Sequence, residues 1–242
     1  MGTKKAPIIM TVIFAVLAGA LGIFALYHTG VFSGNESSSN TVHLTADEEL
    51  ELRNATQDLI SKNIIAYSLF YTDELPLVPE PYGNVPEDGY YAVNMTYNDL
   101  NKKLYTVLNH APDQKEGNAE YQQIEIFVNK IYTPDLAKEI LNNSDNTNKP
   151  VFKDKDGRLG VKADHQSISS KRNWQENISI LYDIKTTSEC EITILFNNVT
   201  EQQYDSGEFN QDDVVKATIY KINGEWRLNE IEIGRASCRE RV

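Results

Sequence analysis

The sequence predicts an α+β fold, with helices packed against one face of a curved antiparallel sheet. The main observation is a change of hydrophobic period near Pro150. Apolar residues recur at helical spacing before this point and alternate with polar residues after it. Two pairs that favour tight hairpin turns, Asp156-Gly157 and Asn223-Gly224, lie in the second part of the chain. Such hairpins join antiparallel neighbours, so the sheet is expected to follow the helices.

The first elements are predicted from capping residues and from apolar periodicity. Thr45 and Glu48 have the spacing of a capping box, which opens a long helix to about Tyr71. A strand is expected over residues 90–97. Asn98 then has the position of an N-cap for a short helix.

A corner between two helices connects the helical part to the sheet. Thr133 has the N-cap position before Pro134, and proline suits the first helical position because its missing N–H costs nothing there. The helix before this corner has one apolar face, formed by Ile124, Phe127, Val128 and Ile131.

The strands after the corner are predicted from alternation and from the turn pairs. The last hairpin has a register that places Ile219 opposite Leu228 and Tyr220 opposite Arg227, with Trp226 in the core. Two earlier strands alternate in the same way, with inward residues Ile178, Ile180, Tyr182 and Ile184 on one and Ile192, Ile194 and Phe196 on the next.

Residues 8–27 form an apolar, uncharged segment of about 20 residues, which is long enough to cross the core of a bilayer. Lys4 and Lys5 precede it, and no basic residue follows until Arg53. The positive-inside rule therefore predicts that residues 1–7 are cytoplasmic and that the rest of the chain lies outside the cell membrane.

The remaining domain boundaries follow if residues 8–27 are a transmembrane anchor. We expect a linker over residues 28–44 and an extracytoplasmic α+β domain over 45–232. A cleaved signal peptide with small residues at 18–20, and hence a secreted protein, is the alternative. Residues 233–242 form a basic, non-periodic run, and the string EIGRASCRERV resembles the in-frame translation of a common sequencing adapter. We interpret this tail as an assembly artefact.

Charge and cysteine content narrow the classes of function. The chain carries a formal net charge of −12; residues 233–242 contribute +2, and Lys4 and Lys5 contribute two further positive charges, which leaves −16 on the predicted exported part. Such a surface is repelled by nucleic acid and anionic wall polymers and attracted to a basic protein surface. A generic acidic exodomain is the plainer alternative.

Without the tail, Cys190 is the only cysteine, and its apolar strand predicts a buried thiol.

No catalytic or metal motif emerges from the sequence. The DKDG run at 154–157 is not an EF-hand loop, because Phe152 and Ala163 stand where ligating acids are required. No serine lies in a nucleophile elbow, and no glycine-rich loop leads from a strand to a helix. We therefore expect no enzymatic activity, no cofactor and no metal. None of the histidines share metal-ligand spacing: His28, His43, His110 and His165.

Five features resemble, in their order, the bacterial D,L-endopeptidase inhibitor family. They are YYAVN, a helix ending in KIYTPDLAKEIL, the segment PVFKDKDGRLGV, a tryptophan in a polar loop (Trp174) and a closing KINGEWRLNEI. The resemblance covers roughly residues 90–231. It implies a cystatin-like fold, similar to nuclear-transport-factor-like exodomains, in a non-enzymatic protein that blocks the cleft of a cell-wall cysteine hydrolase.

The residues expected first to contact the hydrolase form the tip of the predicted hairpin: Asp154, Asp156, Gly157 and Arg158. Its two acids have no evident structural role. Trp174 is expected second, as an exposed aromatic anchor. We expect a monomer at the cell membrane with no nucleic-acid partner. Two alternatives stay open: a membrane-tethered sensory or binding domain of the same fold, and an enzyme with an aspartate or tyrosine dyad in its sheet.

Overall fold

The structure is a computed structural model, and it describes residues 42–72, 74–80, 84–105, 114–143, 149–165 and 178–231. The predicted membrane anchor, Trp174 and the tail at 233–242 lie outside these residues. Among the described helices, none is both long enough and apolar enough to cross a membrane.

The described part of the chain contains five α-helices and seven strands, and the predicted α+β class is confirmed. The helices are α1 (Ala46–Tyr67), α2 (Tyr97–Leu104), α3 (Tyr121–Ile131), α4 (Pro134–Asn143) and α5 (Glu201–Ser206). The strands are β1 (Tyr90–Ala92), β2 (Phe152–Lys155), β3 (Arg158–Lys162), β4 (Ser179–Thr186), β5 (Glu189–Leu195), β6 (Val214–Ile222) and β7 (Glu225–Ile231).

The described strands form two antiparallel sheets, which corrects the prediction of one curved sheet. One sheet has the order β1-β3-β2 and the other the order β4-β5-β6-β7. Helix α5 lies between β5 and β6 along the chain, so helices and strands are also less separated in sequence than predicted. The division into two sheets is not predicted, because alternation within a strand shows its two faces but not which strand it pairs with.

The corner between α3 and α4 connects α1 to the larger sheet. The buried Tyr132 donates its hydroxyl to Asn63 Oδ1 of α1 at 2.7 Å. The Thr133 N–H donates to the Leu228 carbonyl of β7 at 2.7 Å, and the Thr133 hydroxyl donates to Asn229 Oδ1 at 3.0 Å. Because α3 also packs against β2, β3 and β7, buried residues from both sheets and the helices form one hydrophobic cluster.

Several local predictions are confirmed. The capping box at Thr45 and Glu48 is present, with both reciprocal hydrogen bonds formed. The last hairpin has the predicted register, and Trp226 is buried. Cys190 is a buried free thiol.

Two predictions near α2 are wrong. The strand ends at Ala92. The N-cap of α2 is Thr96, whose hydroxyl oxygen accepts from the Asp99 N–H at 3.1 Å and donates to Asp99 Oδ2 at 2.7 Å. Asn98 lies inside the first turn, where its Oδ1 accepts from the Lys115 N–H at 3.0 Å. An acid three residues after Thr96 supplies this reciprocal capping pair, so the helix begins earlier than Asn98 predicts.

Candidate interface

The β2–β3 hairpin brings four of the five predicted contact residues together at an exposed tip: Asp154, Asp156, Gly157 and Arg158. Asp156 and Gly157 have φ values of 54° and 77°. Two successive residues with positive φ are typical of a type I′ turn, whose twist matches that of the flanking strands. The tip is therefore a tight two-residue turn at the end of a regular ladder.

Asp154 has a structural role, which corrects the expectation that neither acid has one. Its Oδ1 accepts a hydrogen bond from the Gly157 N–H at 3.1 Å, so this carboxylate closes the turn. Asp156 and Arg158 are different. Within the part of the chain that the structure describes, neither side chain makes a hydrogen bond or an ion pair.

Two lysines on one face of strand β2 bind residues at the start of β1 and so hold the hairpin against that strand. Lys153 Nζ lies 3.0 Å from the Asp88 carboxylate, and Lys155 Nζ lies 2.9 Å from it. Lys155 also donates to the Tyr90 carbonyl at 2.6 Å, and Lys153 Nζ lies 4.1 Å from the centroid of the Tyr90 ring. We call these four residues the Asp88 cluster. Its contacts fix the base of the hairpin below the exposed tip.

The charge of Asp88 is stabilised from three directions. Hydrogen bonds from Lys155, Lys153 and the Tyr90 N–H hold the pKa of this carboxyl well below its ordinary value. Asp88 is therefore ionised at any pH near neutrality, and its carboxylate offsets the charge of one of the two lysines. At the tip, the charged side chains without a partner among the described residues are Asp156 and Arg158.

Gly160 allows the lysines to reach Asp88. Strand β3 lies between β2 and β1, and Gly160 of β3 is paired with Lys153 on one side and Ala92 on the other. A Cβ at this position would lie 3.0 Å from the Lys155 Cβ and 3.3 Å from the Lys153 carbonyl oxygen. Its absence leaves space for both lysine side chains to cross β3.

Sequence reasoning missed the Asp88 cluster. The alternation in FKDK indicates that Lys153 and Lys155 share one face of a strand, and this signal was available. Asp88 lies 67 positions before Lys155, and no local pattern connects the two. The fifth predicted contact residue, Trp174, lies outside the described residues.

The hairpin tip has the chemistry of a binding surface. Two carboxylates are able to accept hydrogen bonds from a basic partner, and a guanidinium such as that of Arg158 is able to donate two hydrogen bonds to one carboxylate. In the described ranges there is no group of three or more His, Cys, Asp or Glu side chains that is placed to hold a metal ion. Burial raises the pKa of the Cys190 thiol to about 11, so this cysteine is protonated at neutral pH and is not an activated nucleophile.

No protein-family model matches the chain, and no curated protein matches it. The geometry of the hairpin and the residues that carry the sequence resemblance are therefore the features that point to a function.

Proposed function

We propose that this chain is an exported, membrane-anchored protein of cystatin-like fold that binds and inhibits a peptidoglycan D,L-endopeptidase and has no hydrolytic activity itself. The observation that carries the proposal is the β2–β3 hairpin. Its tip presents the exposed side chains of Asp156 and Arg158, which have no partners among the described residues, above a base fixed by the Asp88 cluster. A preorganised turn loses little conformational entropy when it binds, which favours affinity. The class of partner comes from the sequence resemblance over residues 90–231.

The charge of the chain supports a basic cleft as the binding surface. A formal net charge of −12 speeds encounter with a positively charged protein surface and disfavours contact with anionic wall polymers. At the tip, Asp154 and Asp156 supply local negative charge. We expect the tip to enter the cleft of the hydrolase and block access of the peptide substrate.

The test measures muropeptide release by a D,L-endopeptidase from the same organism, with and without the full-length chain in mild detergent. Inhibition is expected to weaken as salt rises, because exposed charges are screened. Asp156→Asn removes one charge and keeps the turn, since asparagine is favoured at this positive φ. It should weaken inhibition about tenfold, in keeping with the energies of close interfacial charge pairs.

Three further variants separate charge from turn geometry. Asp154→Asn removes a charge but keeps the acceptor for the Gly157 N–H, whereas Asp154→Ala removes both. If the tip binds through charge, Asp154→Asn weakens inhibition while thermal stability stays close to that of wild type. Asp205→Asn removes the same charge from the exposed helix α5 and should leave inhibition unchanged.

Two outcomes would contradict the proposal. One is inhibition that survives both Asp156→Asn and Arg158→Gln unchanged. The other is failure to inhibit any D,L-endopeptidase of the organism. The second outcome would favour the alternative function, a membrane-tethered sensory or binding domain of the same fold.

A further inference from the structure

One face of the β2–β3 hairpin carries three basic residues. Lys155 of β2 is paired with Arg158 of β3, and Lys153 lies on the same face of β2, two positions before Lys155. Residues paired in this way point to the same side of a sheet, with their Cβ atoms about 5 Å apart. The opposite face of the two strands holds the buried Phe152 and Leu159, so the three basic residues face away from the core. We call Lys153, Lys155 and Arg158 the basic row.

The domain balances only part of the charge of the basic row. Lys153 Nζ and Lys155 Nζ lie 3.0 Å and 2.9 Å from the single carboxylate of Asp88. Arg158 is exposed, and its side chain forms no ion pair with any described residue. Three positive charges therefore stand against one negative charge, which leaves the basic row and Asp88 with a net charge of +2.

This local positive charge contrasts with the charge of the whole chain. Residues 149–162 include five basic residues and two acids, a net charge of +3, whereas the chain carries −12. Like charges directly opposite each other destabilise a sheet, so the pairing of Lys155 with Arg158 is unfavourable in the free protein. An anion bound at Arg158 would offset this repulsion.

We propose that Arg158, together with Lys155 and Lys153, binds a carboxylate side chain of the hydrolase at the rim of its cleft. A planar guanidinium donates two parallel hydrogen bonds to one carboxylate, which the ammonium group of a lysine does not match. A single carboxylate on a basic partner suits the basic row better than a polyanion, because the −12 of the whole chain repels a polyanion. The inference rests on the proposed function, since it assigns the carboxylate to the protein that the tip binds.

The hydrolase would then present both signs of charge to the hairpin. Its surface is basic where it meets Asp154 and Asp156, and acidic where it meets Arg158. Asp154 lies on the opposite face of β2 from the basic row, so the two kinds of contact are separated across the hairpin. Together they fix the orientation of the hairpin in the cleft, because a hairpin turned over would place like charges against each other.

The sign of one effect separates this inference from the proposed function alone. If the hydrolase were uniformly basic around the tip, it would repel Arg158, and Arg158→Gln in the full-length chain would strengthen inhibition of muropeptide release. If a carboxylate binds Arg158, the same variant should weaken inhibition about tenfold. Arg158→Lys keeps the charge but loses the paired hydrogen bonds, so it should weaken inhibition about threefold.

A matched control and a second readout exclude trivial causes. Lys216→Gln removes one positive charge from an exposed position on β6, in the other sheet, and should change inhibition less than about twofold. Arg158→Gln relieves the repulsion of Lys155, so the free variant should melt no lower than wild type although it inhibits less well. An arginine with a purely structural role would instead lower the melting temperature when replaced.

A charge exchange between the two proteins identifies the carboxylate. Arg158→Glu should weaken binding more than Arg158→Gln, because it places two carboxylates together. Each acidic residue at the cleft rim of the hydrolase is then changed to lysine in turn, and one of these changes should restore binding of Arg158→Glu. Such a rescue is expected only for residues in contact. Titration calorimetry measures the affinities, so hydrolase variants without activity are included.

The possible failures of the two proposals are distinct. If Asp156→Asn weakens inhibition but Arg158→Gln leaves it unchanged or strengthens it, the inference is wrong and the proposed function stands. Rescue of Arg158→Glu by none of the hydrolase variants would overturn the inference in the same way. If no D,L-endopeptidase of the organism is inhibited by the wild-type chain, the proposed function fails and the inference fails with it.

Discussion

The two hairpins that close on an Asx-Gly pair have the same turn conformation. Asp156 and Gly157 have φ values of 54° and 77°, and Asn223 and Gly224 have values of 52° and 84°. Both pairs therefore adopt the positive φ values that a type I′ turn requires. Any difference in role between the hairpins has to come from the residues beside the turns.

Around the second turn, the side chains bind within the domain. Lys221 Nζ lies 2.6 Å from Glu51 of α1, and Arg227 forms an ion pair with Glu225. Trp226 is buried, only 7% exposed. This hairpin serves the fold, because its charges are paired and its aromatic residue belongs to the core.

Around the first turn, the ion pairs with the rest of the domain are made at the base of the hairpin and not at its tip. Lys153 and Lys155 bind Asp88 at the base. The side chains of Asp156 and Arg158 make no hydrogen bond or ion pair with any described residue. The comparison shows that an Asx-Gly pair specifies a conformation, whereas the flanking residues decide whether the turn stabilises the domain or presents charge to a partner.

The largest effect is expected from Trp226→Ala in the second hairpin. Removing a buried indole should cost about 3–5 kcal/mol and lower the melting temperature by about 10 °C. Trp226→Phe should cost much less, because the indole Nε1 is buried without a hydrogen-bond partner in the described part of the chain and its loss removes a desolvated donor. Thermal unfolding followed by circular dichroism measures both. Equal losses for the two variants would show that the indole N–H is satisfied.

A smaller effect is expected from Gly160→Ala in the first hairpin. The new methyl group would lie 3.0 Å from the Lys155 Cβ, which belongs to the strand and is not the flexible end of a side chain. Overpacking of this kind costs about 1–3 kcal/mol and would displace the lysines from Asp88. Denaturant unfolding gives the loss of stability. A variant as stable as wild type would mean that β2 and β3 separate freely at this point.

The two turn glycines provide a matched pair. Alanine at Gly157 or Gly224 must adopt a positive φ, which costs about 1–2 kcal/mol for an L-residue, so both variants should lose similar stability. Only Gly157→Ala should weaken inhibition of the hydrolase, because it distorts the tip proposed to bind. Unfolding curves and the muropeptide assay on both variants decide this. Equal inhibition by the two would separate the tip from the function.

The parts of the fold that the sequence predicts are those fixed by neighbouring residues. Thr45 and Glu48 form a capping box because both groups lie within one helical turn, and the last hairpin has its predicted register because Asn223-Gly224 sets it. The division into two sheets escaped prediction. It depends on pairing Tyr90 with Lys162, and alternation within a strand carries no information about such distant partners.

In the candidate interface too, features set by neighbouring residues were predicted and contacts between distant residues were not. The tip was predicted because Asp156-Gly157 is a strong local turn signal. The expectation that Asp154 has no structural role is wrong. An aspartate just before a turn commonly accepts a hydrogen bond from the backbone of that turn. The role of Asp88 was not accessible, because its two lysine partners lie in strand β2, which follows the helices α2, α3 and α4.

The smallest effect is expected from Asp88→Asn, and it depends on pH. The folded protein holds the pKa of Asp88 below its ordinary value of 3.8, chiefly through hydrogen bonds from Lys155 and Lys153. A carboxyl with a lowered folded pKa stabilises the fold above the unfolded pKa, and this contribution is lost as pH falls through the folded value. Wild type should therefore melt higher than Asp88→Asn by a constant margin above about pH 5, and the margin should shrink below pH 3.8. Melting curves of both proteins at pH 7, 5, 3 and 2 measure it. A margin that stays constant down to pH 2 would show that Asp88 holds the hairpin through its shape and not through its charge.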